Sequence, residues 1–231
     1  MPIFKFGALL AAVLVGLPQD PAHAGDWEVI AEREGIVVSR RSVPGQDFPE
    51  LRAVGEVPGT VYEVLAILVD VPAYVKWLPD CLEAKTVRKI DAWRSFIYTR
   101  TDVPWPVPDR EVVVDNQVIF IDPPSKAKIA FRAVAAPNVG RGPGTVRMRK
   151  ATGFYAIEAI GESRALVHYE VDADPGGSLP DWLISMQSTR NPFETLAGLR
   201  RRLEETRGQY REQIGQFPAG NPTSNNVPSS E

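Results

Sequence analysis

The sequence predicts an α+β domain in which a curved antiparallel sheet packs against one long C-terminal helix. Three observations predict it. Between Cys81 and Ala173, β-rich runs follow one another, several alternating apolar and polar side chains as a sheet with one wet face requires. Near the C-terminus, Trp182, Leu183, Met186, Phe193, Leu196, Leu199 and Leu203 form an apolar stripe at helical spacing. Twenty-one prolines and eighteen glycines in 231 residues imply many turns, and so many strands.

Asp26 to Glu34 reads as a short helix, with Trp27 and Ile30 on one side. Ile36–Val43 and Leu51–Val57 are β-rich runs around the turn pair Pro44-Gly45. Val61, Val64, Leu65 and Leu68 then recur at helical spacing until Pro72 stops them, and Tyr74, Trp77 and Leu78 form a shorter apolar cluster. The meander comprises Glu83–Lys89, Arg94–Thr101, Arg110–Ile121, Lys126–Ala135, Thr145–Ile160 and Ala165–Ala173, with a bulge or bend expected at Gly153. In its last strand Val167, Tyr169 and Val171 take one face, and His168, Glu170 and Asp172 the other. Ser178-Leu-Pro-Asp181 and Asn191-Pro-Phe-Glu194 have the form of capping boxes, the second with Pro192 at the first helical position. They predict a short helix over Leu179–Arg190, a kink, and a longer helix to about Gln209. Arg200, Arg201, Glu204 and Glu205 form its solvated side.

The two ends stand apart from this domain. Lys5 precedes an apolar run, Gly7 to Leu17, too short to span a bilayer, and Ala22-His23-Ala24 is a small-x-small cleavage site. Residues 1–24 are therefore expected to be a signal peptide, removed on export to the periplasm or beyond. No cysteine follows the run, which argues against a lipoprotein anchor. Residues 25–212 are expected to be the one domain, and 213–231, rich in Pro, Asn and Ser from Gln216 onward, a disordered tail. A net charge of −3 lends no support to nucleic-acid binding, whose footprint is a strongly basic face.

Catalytic chemistry has little to work with. Of two histidines, His23 leaves with the signal, and His168 reads as a surface residue without a clustered partner. Cys81, the single cysteine, has no neighbouring base to activate it and no disulfide partner. No Cys, His or carboxylate spacing fits a metal site, and there is no GxGxxG or GxxxxGK[ST] phosphate loop. Gly140-Arg-Gly-Pro-Gly144 reads as a flexible loop, since Pro143 removes a donor amide and no helix pattern follows. No catalytic residue, cofactor or metal is expected.

Arg110 is the more informative residue. Alternation places it on one side of its strand with Val112, Val114, Val118 and Phe120, while Glu111, Asp115 and Gln117 take the other. Either the guanidinium points inward and must be met by an acid, water or a ligand head group, or it bends out to solvent from the strand end. Trp105 lies in Val103-Pro-Trp-Pro-Val-Pro-Asp109 and is expected to plug the core edge or line a cavity mouth.

This order of elements, with Pro104-Trp-Pro-Val-Pro-Asp-Arg-Glu111 entering a strand and Gly177-Ser-Leu-Pro-Asp-Trp-Leu183 opening the last helix, resembles the START (steroidogenic acute regulatory protein-related lipid transfer) domain. The resemblance runs from about Trp27 to Gln209. It implies a helix-grip fold: a curved antiparallel sheet wrapped around the C-terminal helix, with a tunnel between them for one lipid. It maps the family's cavity-facing arginine onto Arg110 and its lid helix onto the segment from Leu179. The acidic partner that some members offer that arginine is not assigned, although Asp102 and Asp109 are near in sequence. Under this resemblance Arg110, Tyr98, Trp105, Trp182, Leu183, Met186 and Phe193 are the expected ligand-binding residues. The partner is a lipid or other hydrophobic molecule, with passing membrane contact and a monomeric chain. The alternative is a helix-grip enzyme acting on a hydrophobic substrate.

Overall fold

The computed structural model describes residues 25–136 and 138–219, so the expected signal peptide and residues 220–231 lie outside the described residues. The element order is β1 (Glu28–Arg33), β2 (Ile36–Arg41), β3 (Glu50–Pro58), α1 (Val61–Val69), a 3-10 helix (Val71–Lys76), β4 (Cys81–Lys89), β5 (Arg94–Thr101), β6 (Asp109–Asp122), β7 (Lys126–Ala133), β8 (Thr145–Arg147), β9 (Lys150–Gly161), β10 (Arg164–Asp174), α2 (Asp181–Glu205) and α3 (Arg211–Ile214). The strands form one sheet in the order β1-β2-β3-β10-β9-β7-β6-β5-β4, with β8 paired to β6. All neighbours are antiparallel except β8, which runs parallel to β6.

One face of the sheet is dry. Ile36, Val38, Ala53, Ile129, Ile157 and Val167 on the strands meet Val64, Leu65 and Leu68 of α1 and Leu196, Leu199 and Leu203 of α2 in a single core. A capping box starts α1: Thr60 Oγ1 accepts from the Glu63 amide, and Glu63 Oε2 accepts from the Thr60 amide. The long helix lies over β2 and β3. Arg200 ties it down there by donating to the carbonyls of Glu56 and Glu34 at 2.7 and 2.6 Å. This is the α+β helix-grip arrangement, a curved antiparallel sheet around the C-terminal helix.

Five expectations are corrected. Asp26–Glu34 holds an edge strand, Glu28–Arg33, and not a helix. Glu34 and Gly35 both take positive φ, 54° and 68°, and close a hairpin whose tight turn pulls β1 onto β2. Thr145–Ile160 is two strands, broken at Met148-Arg149. There the chain changes partners, the Met148 amide donating to Glu111 and the Arg149 amide to Asp174. Gly153 sits in unbroken register opposite Val171 and Phe131, so it marks no bulge. A Cβ there would lie 2.2 Å from the Glu170 carbonyl oxygen and 2.6 Å from the Phe131 ring, so the glycine serves a close approach.

The fourth concerns the last helix, which is continuous. Neither proposed box caps it: the N-cap is Pro180, with no side-chain cap, and Pro192 lies inside the helix. Ser188 and Thr195 instead turn their hydroxyls back onto the Ile184 and Asn191 carbonyls. Beyond residue 212 the chain goes on packing. Phe217 is buried against Tyr62 and Trp93, and Tyr62 Oη donates to the Pro218 carbonyl. The proline- and serine-rich composition hid that one aromatic anchor.

Candidate ligand site

The connection from β5 to β6 holds three prolines and is clamped at its base. Asp109 accepts from Arg100 Nε and Nη2 at 2.8 and 2.6 Å, and from the Val103 amide at 3.3 Å. The clamp leaves Trp105 standing out from the surface, 92% exposed. It plugs no core.

Arg110, five residues on, turns inward and is 4% exposed. Its guanidinium donates to three backbone carbonyls: Nη1 to Pro108, Nη2 to Gly176 at 3.0 Å and Nε to Pro175 at 3.4 Å. Among the described residues no carboxylate hydrogen-bonds to it. Burial pushes its pKa below the ordinary arginine value, opposed by the charge of Asp109, but an arginine stays protonated regardless. Gly176 and Gly177 both adopt left-handed φ, 68° and 66°, which turns the Gly176 carbonyl onto Arg110. The buried cation thus holds the segment that feeds α2.

Glu111, placed by alternation on the wet face, is in fact fully buried. Its carboxylate accepts from Tyr98 Oη, the Gly142 amide and Arg147 Nε, each at 2.9 Å. Burial works to raise its pKa, and these donors together with Thr145 reverse the balance and hold it below the usual carboxylate value. The 138–147 loop is therefore fastened across the outer face of β6, not left loose. Tyr98 belongs to this arrangement. It pairs across the strands with Val113 and shares the face of Glu111, opposite to that of Arg110. The uninterrupted run Val112-Val113-Val114 was the sequence signal that both faces of this strand are covered.

On α2 the expected residues divide. Leu183 and Phe193 are buried, Phe193 beneath the Arg33 guanidinium at 3.7 Å, whereas Trp182 and Met186 are 59% and 38% exposed. Sequence reasoning passed over the polar members of the same helix, Gln187 and Asn191. Their carbonyl oxygens are buried, and among the described residues they have no hydrogen-bond partner; Trp77 Nε1 shares that condition. In the interior Tyr155 stacks on Tyr169 at 4.6 Å, and burial raises both phenols well above their ordinary pKa.

His168 is half-buried instead of at the surface, against the Phe154 ring and 3.3 Å from Glu170. The Cys81 thiol donates to the Glu83 carbonyl, and burial pushes its pKa up to about 11, away from thiolate chemistry. No group of three His, Cys, Asp or Glu among the described residues is placed to hold a metal. A cavity of about 540 Å³ opens at the far end of the sheet from Arg110, between Pro58, Leu203, Tyr210 and Ile214, with Arg164, Arg207 and Arg211 at its rim.

The sequence profile of the START domain matches residues 21–207. The chain belongs to the START domain family. It is 30% identical over 200 residues to an uncharacterised protein of Pseudomonas aeruginosa, covering 85% of this chain and 96% of that one. Human phosphatidylcholine transfer protein is 26% identical over 171 residues, 72% of this chain and 79% of its own. Among solved structures, a STAR-related lipid transfer protein from Xanthomonas axonopodis superposes with a TM-score of 0.69 at 27% identity, covering 77% of this chain and 98% of that one. The START assignment gives the helix grip its meaning: such neighbours support binding or transfer of a hydrophobic ligand in general.

Proposed function

We propose that this START domain binds one lipid-like molecule between the curved sheet and α2, performs no chemistry on it, and moves it between membranes. The observation that carries the reading is the setting of Arg110. A buried cation held, among the described residues, by neutral carbonyls alone, two of them from the segment leading into α2, can exchange a carbonyl for a ligand's polar group. That exchange would release the start of the helix as a lid. Leu183 lies on the covered side of that segment, and Trp182 and Met186 on its outer side. With Trp105 they form an exposed apolar set at the same end, suited to brief contact with a bilayer surface.

The proposal extends to location. Residues 1–24 would direct export and be removed at Ala24, placing a monomeric domain in the periplasm. Intact-mass measurement of protein from its host would then begin at Gly25. The functional test is lipid transfer between donor and acceptor vesicles. The wild-type chain is expected to accelerate transfer, and Arg110→Met to slow it at least tenfold while remaining folded. Unchanged transfer in Arg110→Met would remove Arg110 from the mechanism.

A further inference from the structure

The long helix has a polar inner face that its own fold leaves unsatisfied. Leu183, Gln187 and Asn191 succeed one another at four-residue intervals, with Gly198 seven residues further on, so they share one side of α2. That side is turned into the molecule. Leu183 is fully buried, and Gly198 sits so close to Trp77 that a Cβ would lie 2.1 Å from its carbonyl oxygen. The Trp77 ring belongs to the core and meets Tyr74 edge-on at 5.5 Å.

Three polar atoms on these residues are sealed from solvent and unpaired among the described residues: Gln187 Oε1, Asn191 Oδ1 and Trp77 Nε1. Ser188 and Thr195 on the same helix, and Thr206 at its C-cap, are buried and all satisfy themselves on the carbonyl four residues back. Gln187 and Asn191 do not. A buried acceptor without a donor destabilises a fold, and proteins keep such groups where something else pairs with them.

We propose that Gln187 and Asn191 are the polar contact point for a lipid bearing free hydroxyl groups. The inference rests on the reading above that a lipid lies along this face of α2, and names its chemistry. Two carbonyl oxygens call for O–H or N–H donors, and the indole N–H calls for an acceptor. A hydroxyl supplies both. A phosphatidylcholine head group supplies acceptors and no donor, so of these three atoms it answers only the indole. The favoured ligand is therefore a neutral glycerolipid with a free hydroxyl, such as a diacylglycerol, over a phosphodiester lipid.

The test uses three probes with the same acyl chains: dioleoylglycerol, its 3-O-methyl ether, and dioleoylphosphatidylcholine. Binding to the mature chain is followed by native mass spectrometry with lipid titration. Dioleoylglycerol is expected to bind about tenfold more tightly than the ether, the equivalent of about 1.4 kcal/mol. In Gln187→Met with Asn191→Leu, that preference is expected to vanish while the melting temperature of the ligand-free protein rises. Equal binding of alcohol and ether by the wild type, or a preference for phosphatidylcholine, overturns the proposal and leaves lipid binding standing. Failure of all three to bind overturns the proposal. A double variant that keeps the preference assigns the hydroxyl to another site and also overturns it.

Discussion

Arg110 and Glu111 are adjacent residues with opposite charges that never meet, because a strand sends successive side chains to opposite faces. Each is buried, and each is answered differently. Arg110 is held by three backbone carbonyls, two of them in the segment entering α2, where the proposed ligand would take a carbonyl's place. Glu111 is held by a tyrosine, an amide and an arginine, and it fastens the 138–147 loop to β6. Removing one partner of a buried ion pair leaves the other uncompensated, so Glu111→Ala is expected to cost about 3 kcal/mol in chemical denaturation. The carboxylate also has a pH signature. Its folded pKa lies below the unfolded value of about 4.3, so it stabilises the fold fully above that pH. The stability is lost as pH falls from about 4.3 through the folded pKa. Glu111→Gln is expected to be less stable at pH 7 and to lose less on acidification than the wild type, in paired denaturation curves at pH 7 and pH 3. Parallel curves would mean that the carboxylate contributes no charge-dependent stability.

At the scale of elements, α2 is held together by packing more than by local signals. Pro192 denies the Ser188 carbonyl its N–H, yet Leu196, Leu199 and Leu203 lie on the core side with Leu183 and keep the helix whole. Pro192→Ala restores the missing donor but sheds part of a buried ring. It is expected to raise unfolding free energy by about 1 kcal/mol, read as a higher melting temperature. A fall would show that the proline's packing outweighs the hydrogen bond. The contrast between what the sequence disclosed and what it hid follows the same line. The central strands were legible because half-buried strands impose a period of two, and β5 was bounded to the residue. The edge strand β1 was not, since most of its side chains are exposed and no period was imposed on it. The two capping motifs were genuine local preferences overruled by tertiary packing. Arg110 was found because a charge interrupted an apolar face. Glu111 was missed because a covering loop, far away in sequence, buried a face that alternation alone reads as wet. Gln187 and Asn191 were hidden by the same limit: a polar residue on a helix reads as solvated until its neighbours are known.

Taken as a whole molecule, the domain is polarised along the sheet. One end gathers Arg110, the segment entering α2, and the exposed Trp105, Trp182 and Met186; the other holds the arginine-rimmed cavity. If the first end meets membranes, Trp105→Ala with Trp182→Ala should reduce vesicle binding several-fold in flotation assays with little shift in melting temperature, since Trp105 stands in water and Trp182 is mostly exposed. Unchanged flotation would place membrane contact elsewhere. The proposed function requires above all that one lipid be enclosed between sheet and helix. Native mass spectrometry of the mature chain, purified from its own host without detergent, tests this most directly. A single added mass in the range of one lipid, released on Arg110→Met, is the predicted result. A spectrum of ligand-free protein alone, unchanged after exposure to sterol, fatty-acid, glycerolipid and phospholipid panels, would contradict it.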